Sequence, residues 1–197
     1  MSFDLKVLLI LVLSAVGIRV AAMWLSDRQN RSQESKTVPA TVGKETYMGL
    51  RNQALHLNRD KIKLAAPSNP KEPWAAVMDW DLGSGIVTVV AISDGTASVY
   101  LSSGGGSIGG GQSHDAIRKA AQKMVAAAVE CRPQMRATDT FPLPTRGQII
   151  FYALTDEGVV SASAPQEELS SHRHPLSKMG DAAQDVITQY RLIENHK

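Results

Sequence analysis

The longest apolar run is LKVLLILVLSAVGIRVAAMWL, residues 5–25, apolar on every helical face and interrupted only by Lys6 and Arg19. As a helix it would extend about 31 Å, enough to cross the hydrocarbon core of a bilayer. Arg19 lies off the midpoint and can snorkel, and Trp24 suits the interface belt. Residues 1–25 are therefore expected to form a transmembrane anchor. The alternative is a cleaved signal peptide, with an apolar core at residues 7–18 and Val20-Ala21-Ala22 at the cleavage site. Lys6 precedes the span, while Arg28, Arg31 and Lys36 follow it, so the positive-inside bias places the body in the cytoplasm. Cleavage would instead export it.

Residues 26–43 are polar and read as a flexible linker. A globular domain is expected over residues 44–197. In GKETYMGLRNQALHLNRDKIKL, Tyr47, Leu50, Ala54 and Leu57 share one helical face, and Pro67, Pro70 and Pro73 end the helix. The next segments carry strand patterns. In WAAVMDWDLG, Trp74, Ala76, Met78 and Trp80 alternate onto one face, and GIVTVVAI is apolar on both faces, as in a central strand. Ser93-Asp94-Gly95-Thr96 is a turn leading into ASVYLSS. SHDAIRKAAQKMVAAAVEC is the clearest helix, with Ser113 as N-cap and a stripe from Ile117 through Ala120, Ala121, Met124, Val125, Ala128 and Val129 to Cys131. QIIFYALTDEGVVSASA predicts a hairpin turning at Asp156-Glu157-Gly158. Leu176, Met179, Ala183, Val186, Ile187 and Tyr190 mark a final amphipathic helix. The expected fold is α+β: about five mostly antiparallel strands packed with three helices, preceded by the membrane span.

Composition narrows the function classes. The chain has 197 residues with 43% hydrophobic and 20% charged, normal for a globular protein. Lys and Arg number 21 against 19 Asp and Glu, and aromatics are 5%, so there is neither a basic field nor a stacking platform for nucleic acid. The one cysteine, Cys131, excludes an internal disulfide framework and a Cys-based zinc cluster, and its place in the helical stripe makes it a core residue.

The candidate chemistry centres on SSGGGSIGGG, residues 102–111. Gly104, Gly106 and Gly109 fit a dinucleotide fingerprint, but that motif needs a βαβ unit and an acidic residue at the end of its second strand. Residues 106–113 fit a P-loop except that Gln112 replaces the lysine that would meet the outer phosphates. Gly105-Gly106-Ser107-Ile108-Gly109 fits a nucleophile elbow, with Asp156 and then His172 or His174 in hydrolase order, yet the sheet is too short for that fold. So many glycines satisfy almost any glycine pattern. The leading reading is a turn that needs positive φ or close backbone packing. The residual ligand-binding candidates are Gly104, Gly105, Gly106, Ser107, Gly109, Gly110, Gly111 and Ser113, where a helix start could meet a small ligand or anion.

Other candidates are weaker. His172 and His174 could join His114 or Asp181 around a metal, but they adjoin a helix break and no second ligand cluster accompanies them, so neither metal nor cofactor is expected. Asp79 and Asp81 share a strand face and read as a solvated strand end. Trp74 and Trp80 read as packing residues that would anchor an interface if exposed.

The run VVAISDGTASVYLSSGGGSIGGG and the helix after it resemble a pattern in a group of uncharacterised bacterial proteins. Asp94-Gly95-Thr96, Ser98, Tyr100 and Gly104-Gly105-Gly106 carry the resemblance, over about a fifth of the chain, and FYALTDEGVVSASAP fits the same group. The order of elements is also similar to profilin-like and roadblock-like domains. The resemblance implies no activity; it mildly favours a cytoplasmic body. The expected function is a membrane-anchored interaction or assembly module, with a protein partner or a second copy as its target. A small-ligand or anion sensor built on residues 104–113 is the alternative, and a serine hydrolase a remoter one.

Overall fold

The computed structural model describes residues 40–194. The expected anchor, and most of the expected linker, lie outside the described residues. Among the described residues, no helix is long and apolar enough to cross a membrane.

The domain is α+β, built on one seven-stranded antiparallel sheet and four α-helices. The first helix, α1 (Ala40–Leu55), starts inside the stretch assigned to the linker. A meander follows: β1 (Ala75–Asp81), β2 (Ile86–Ile92), β3 (Ala97–Leu101) and β4 (Gly106–Ile108). The chain then crosses through α2 (Asp115–Cys131) to β5 (Arg136–Ala137) on the far edge. Strands β6 (Gln148–Thr155) and β7 (Gly158–Pro165) fill the gap, and α3 (Gln166–Ser170) and α4 (Ser177–Glu194) end the described chain. The spatial order is β4-β3-β2-β1-β6-β7-β5.

Five of the strands follow the expected hydrophobic patterns. The other two, β4 and β5, do not. β4 is Gly-Ser-Ile inside the glycine run, and β5 is a two-residue edge pairing, so neither offers an apolar alternation to read. The extra helix α3 is a five-residue turn after Pro165.

Alternation divides the sheet into two cores. Ala76, Met78 and Trp80 of β1, with Val87, Val89 and Ala91 of β2, face α2 and α4. That side receives Ile117, Ala121, Met124 and Ala128 from α2 and Met179, Ala183, Val186 and Ile187 from α4, all buried. The other face of β1 and β2 meets α1 through Tyr47, Ala54 and Leu55. Trp74 precedes β1 and packs in this second cluster, so it does not share a face with Met78 and Trp80 as the alternation suggested. Cys131 is buried in the first cluster, as expected, while Val129 at the end of its stripe is 37% exposed.

The second core contains a charge. Arg51 of α1 and Asp79 of β1 are both buried. Arg51 Nε donates to Asp79 Oδ2 at 2.8 Å, and its Nη atoms donate to the carbonyl oxygens of Phe141 and Pro142 at 3.1 and 2.9 Å. Thr88 donates to the other carboxylate oxygen, and Tyr47 Oη lies 2.9 Å from Thr88 Oγ1. Tyr152 Oη donates to the Pro142 carbonyl at 2.9 Å. Asp79 is therefore no solvated strand end. Asp81 alone lies at the strand terminus, where its carboxylate accepts the Gly83 amide in a tight turn.

Candidate functional site

The glycine run begins as a turn out of β3. Leu101 and Gly105 exchange with the turn, the Leu101 amide donating to Gly105 at 3.1 Å and the Gly104 amide donating to Leu101 at 2.9 Å. The chain returns as β4 along β3, with Val99 opposite Ser107. Gly109 then takes a left-handed conformation, φ 70°, and a 3-10 turn over Gly110–Gln112 leads towards α2. The helix is capped by His114 rather than by Ser113, and without a side-chain cap bond. Ser113 is used one step earlier, in the 3-10 turn, where its amide donates to Gly110.

The amides at the entrance to α2 that could have cradled an anion, those of Gly109, Gly110, Gln112, Ser113 and His114, are spent inside the protein. Gly109 N–H donates to the Ala97 carbonyl at 2.9 Å and lies 3.3 Å from Ser98 Oγ. Gly110 N–H donates to Tyr190 Oη at 3.0 Å, and Tyr190 Oη donates in turn to the Ala97 carbonyl at 2.6 Å. Gln112, Ser113 and His114 amides donate to Gly109 and Gly110 carbonyls. Satisfied donors do not turn towards a ligand without losing the bonds they hold.

Gly111 shows why the run must be small. A methyl group there would overlap the carbonyl oxygen of Gly95 and crowd Arg118 Cα. Gly95 sits in the Asp94-Gly95-Thr96 turn, where Asp94 Oδ1 accepts the Thr96 amide at 2.7 Å. The D-G-T turn and the glycine run, separate in sequence, are thus one packed joint between β2, β3 and the start of α2. Tyr190 fastens it to α4. Burial pushes the Tyr190 phenol up to about 12, with the Gly110 bond pulling the other way.

A cleft of about 240 Å³ opens beside this joint. Of the candidate residues it gathers Ser107, Gly109, Gly110 and Ser113; Gly104, Gly105, Gly106 and Gly111 are not on its walls. His114, Ile117, Ile193 and Glu194 complete the lining with Ile108 and Tyr190. The sequence pointed to His114 only as a metal partner for His172 and His174, and carried no sign of Ile193 and Glu194. Tyr190 was visible only as the last member of an apolar stripe. Ser107 Oγ lies 3.4 Å from Glu194 Oε1 as its donor. Glu194 in the cleft disfavours an anionic guest, while Asp115 in the first turn of α2 is paired with Arg118.

The hydrolase partners have other engagements. Asp156 is bound by Arg59, Nε to Oδ1 at 2.8 Å, and His172 Nε2 lies 2.9 Å from Asp181 Oδ2. His174 uses Nδ1 to accept the Leu176 amide at 3.2 Å. Among the described residues, no group of three or more His, Cys, Asp and Glu is placed to hold a metal ion.

Comparison with protein-family models, with curated proteins and with solved structures finds no match to the chain.

Proposed function

We propose that the chain is a single-pass, membrane-anchored interaction or assembly module with its α+β domain in the cytoplasm. One observation carries the choice of interaction over catalysis: the amides of Gly104, Gly109, Gly110, Gln112 and Ser113 donate to Leu101, Ala97, Tyr190, Gly109 and Gly110 within the protein. What had the outline of a cofactor or nucleophile motif is used as a packing joint. The apolar run of residues 5–25 supports the anchor. The buried Arg51–Asp79 pair supports a rigid link between the anchor side and the sheet, because α1 cannot lift away without stranding a buried carboxylate. The test is extraction of membranes with alkaline carbonate, followed by protease treatment of inverted vesicles. The full chain should stay in the pellet with its body digested; release into the supernatant, or a protected body, sinks this reading.

A second reading rests on the cleft beside Tyr190. It is a sensor for a small neutral or cationic molecule, held by Ser107, His114 and Glu194. Thermal-shift screening of the full chain with small amines and sugars tests it, and the absence of any shift that Ser107→Ala abolishes counts against it.

A further inference from the structure

Among the described residues, β4 is the outermost strand on its side of the sheet. Its Ile108 is 68% exposed, more than any other large apolar side chain described. The register fixes where the backbone points. Ser107 lies opposite Val99, and the Gly109 amide donates to the Ala97 carbonyl at 2.9 Å, so residues 107 and 109 face β3. Ile108 alternates with them and turns its N–H and C=O outward, away from β3. An apolar residue on such an edge is a template for one more strand.

The chain itself arrives at this edge. A methyl on Gly43, in the first turn of α1, would lie 3.8 Å from Gly104 Cα and from the Ser103 carbonyl oxygen. Those residues form the turn that β4 leaves. A segment that lies along β4 and then enters α1 must therefore run opposite to β4. That is the antiparallel sense of every strand pair in this sheet. The residues in the right place are Ser35-Lys36-Thr37-Val38, followed by Pro39. Thr37 and Val38 are β-branched and suit a pleated surface. Lys36 suits a solvated outer strand, and Pro39, with no N–H to give a ladder, stops the pairing just before α1. Four extended residues span about 13 Å, against about 10 Å for the three of β4.

We propose that residues 35–38 of the chain add to the outer edge of β4 as an antiparallel strand and cover Ile108. The tether chooses this occupant. A segment joined to α1 meets the edge at an effective concentration in the millimolar range, whereas a separate partner or a second copy comes at its own, lower concentration. The pairing shields the edge from other chains and fastens the segment that leads to the anchor onto the β4 side of the domain. Only this last consequence rests on the membrane reading; the pairing itself does not.

The experiment uses the full chain in detergent. Ile108→Cys is combined in turn with Ser35→Cys, Lys36→Cys, Thr37→Cys and Val38→Cys under mild oxidation, and the buried Cys131 stays in place. One position, the one opposite residue 108, should form a disulfide within the monomer. Its immediate neighbours point to the other face and should react at least about tenfold more slowly. Independently, amide exchange followed by NMR should be at least about tenfold slower at Ile108 in the parent than in Thr37→Pro with Val38→Pro. That double variant removes a ladder donor in either register and should keep the melting temperature of the domain. Equal cross-linking at all four positions, or none at any, overturns the proposal. So do cross-links between monomers alone, which assign the edge to a second copy. Exchange at Ile108 that the double-proline variant leaves unchanged overturns it too. The carbonate and protease experiment fails or succeeds independently of all these outcomes.

Discussion

Arg51 and Asp79 are 28 positions apart in sequence and joined by a 2.8 Å hydrogen bond in the interior, on opposite elements of the second core. Burial raises the Asp79 carboxyl above its ordinary value, against the pull of Arg51 and Thr88. A carboxyl raised in the fold holds its proton more tightly there than when unfolded. Its contribution is therefore largest at acid pH and falls as pH rises through the window above the ordinary Asp value. Ionised and buried, it depends on its partner. Arg51→Met should cost about 3–5 kcal/mol in urea unfolding at neutral pH, because it leaves the carboxylate alone. Arg51→Met with Asp79→Leu should recover most of that loss. A single variant as stable as the parent, or a double variant no better than the single, contradicts the coupling.

That pair also marks where the sequence was hard to read. Asp79 alternates with Asp81 along β1, and strand periodicity alone assigned both to one wet face. The missing information was nonlocal: the carboxylate is met by Arg51 of α1, whose guanidinium is itself held by the 141–142 carbonyls, and no window around Asp79 contains either. A trace was present in α1. Arg51 follows Tyr47 by four positions and so falls on the apolar stripe, where a lone cation implies a buried anion. Strands β1, β2, β3, β6 and β7 and the stripes of α2 and α4 were legible because each buries a periodic face. β4 and β5 were not, since three residues of a glycine run and two of an edge pairing carry no period. Within the candidate site, the structural role of the glycines followed from their number. The cleft did not, because Tyr190, Ile193 and Glu194 of its wall come from α4, some 80 residues further on.

Glycine substitutions separate close packing from conformational cost. Gly111→Ala places a methyl on the Gly95 carbonyl, backbone against backbone, and should cost roughly 3 kcal/mol or more, at or above the top of the overpacking range. Gly104 has φ 101° and open space around it, so Gly104→Ala should cost only about 1–3 kcal/mol from strain. Gly49 lies exposed within α1 with nothing near its would-be Cβ, and Gly49→Ala should stabilise by about 0.5–1 kcal/mol. Thermal melts of the three variants give the order, and a Gly111 variant milder than the Gly104 variant refutes the joint described for Gly95.

Tyr190 gives the joint an alkaline signature. Its phenol is pushed up to about 12 by burial, from the ordinary value of 10.0. In the unfolded chain it ionises first, so its stabilising contribution is complete below pH 10 and is lost as pH climbs towards 12. Tyr190→Phe removes the acceptor of the Gly110 amide and should cost about 1–3 kcal/mol at neutral pH. The parent and the variant should then converge as pH rises through that window, since only the parent has this contribution to lose. Denaturation curves at stepped pH read the gap directly, and a gap that stays constant or widens rules out the assignment.

Cys131 tests the first core from inside. Its thiol is buried among the residues of α2 and α4 and lies 3.6 Å from the Pro175 carbonyl, to which it donates. Burial pushes the thiol up, so the thiolate that attacks disulfide reagents is scarcer at neutral pH than in an exposed cysteine. Access is closed as well, and α4 must part from α2 before a reagent reaches Sγ. Labelling with an aromatic disulfide should therefore be slower than that of an exposed thiol by the fraction of time the layer is open. That factor should shrink in Arg51→Met only as far as global stability falls. Because Cys131 is the only cysteine in the chain, the colour released reports this position alone. Labelling as fast as that of an exposed thiol while the circular dichroism spectrum stays native would show that the α2–α4 layer is open, and with it that the sheet's first core is not the sealed one described.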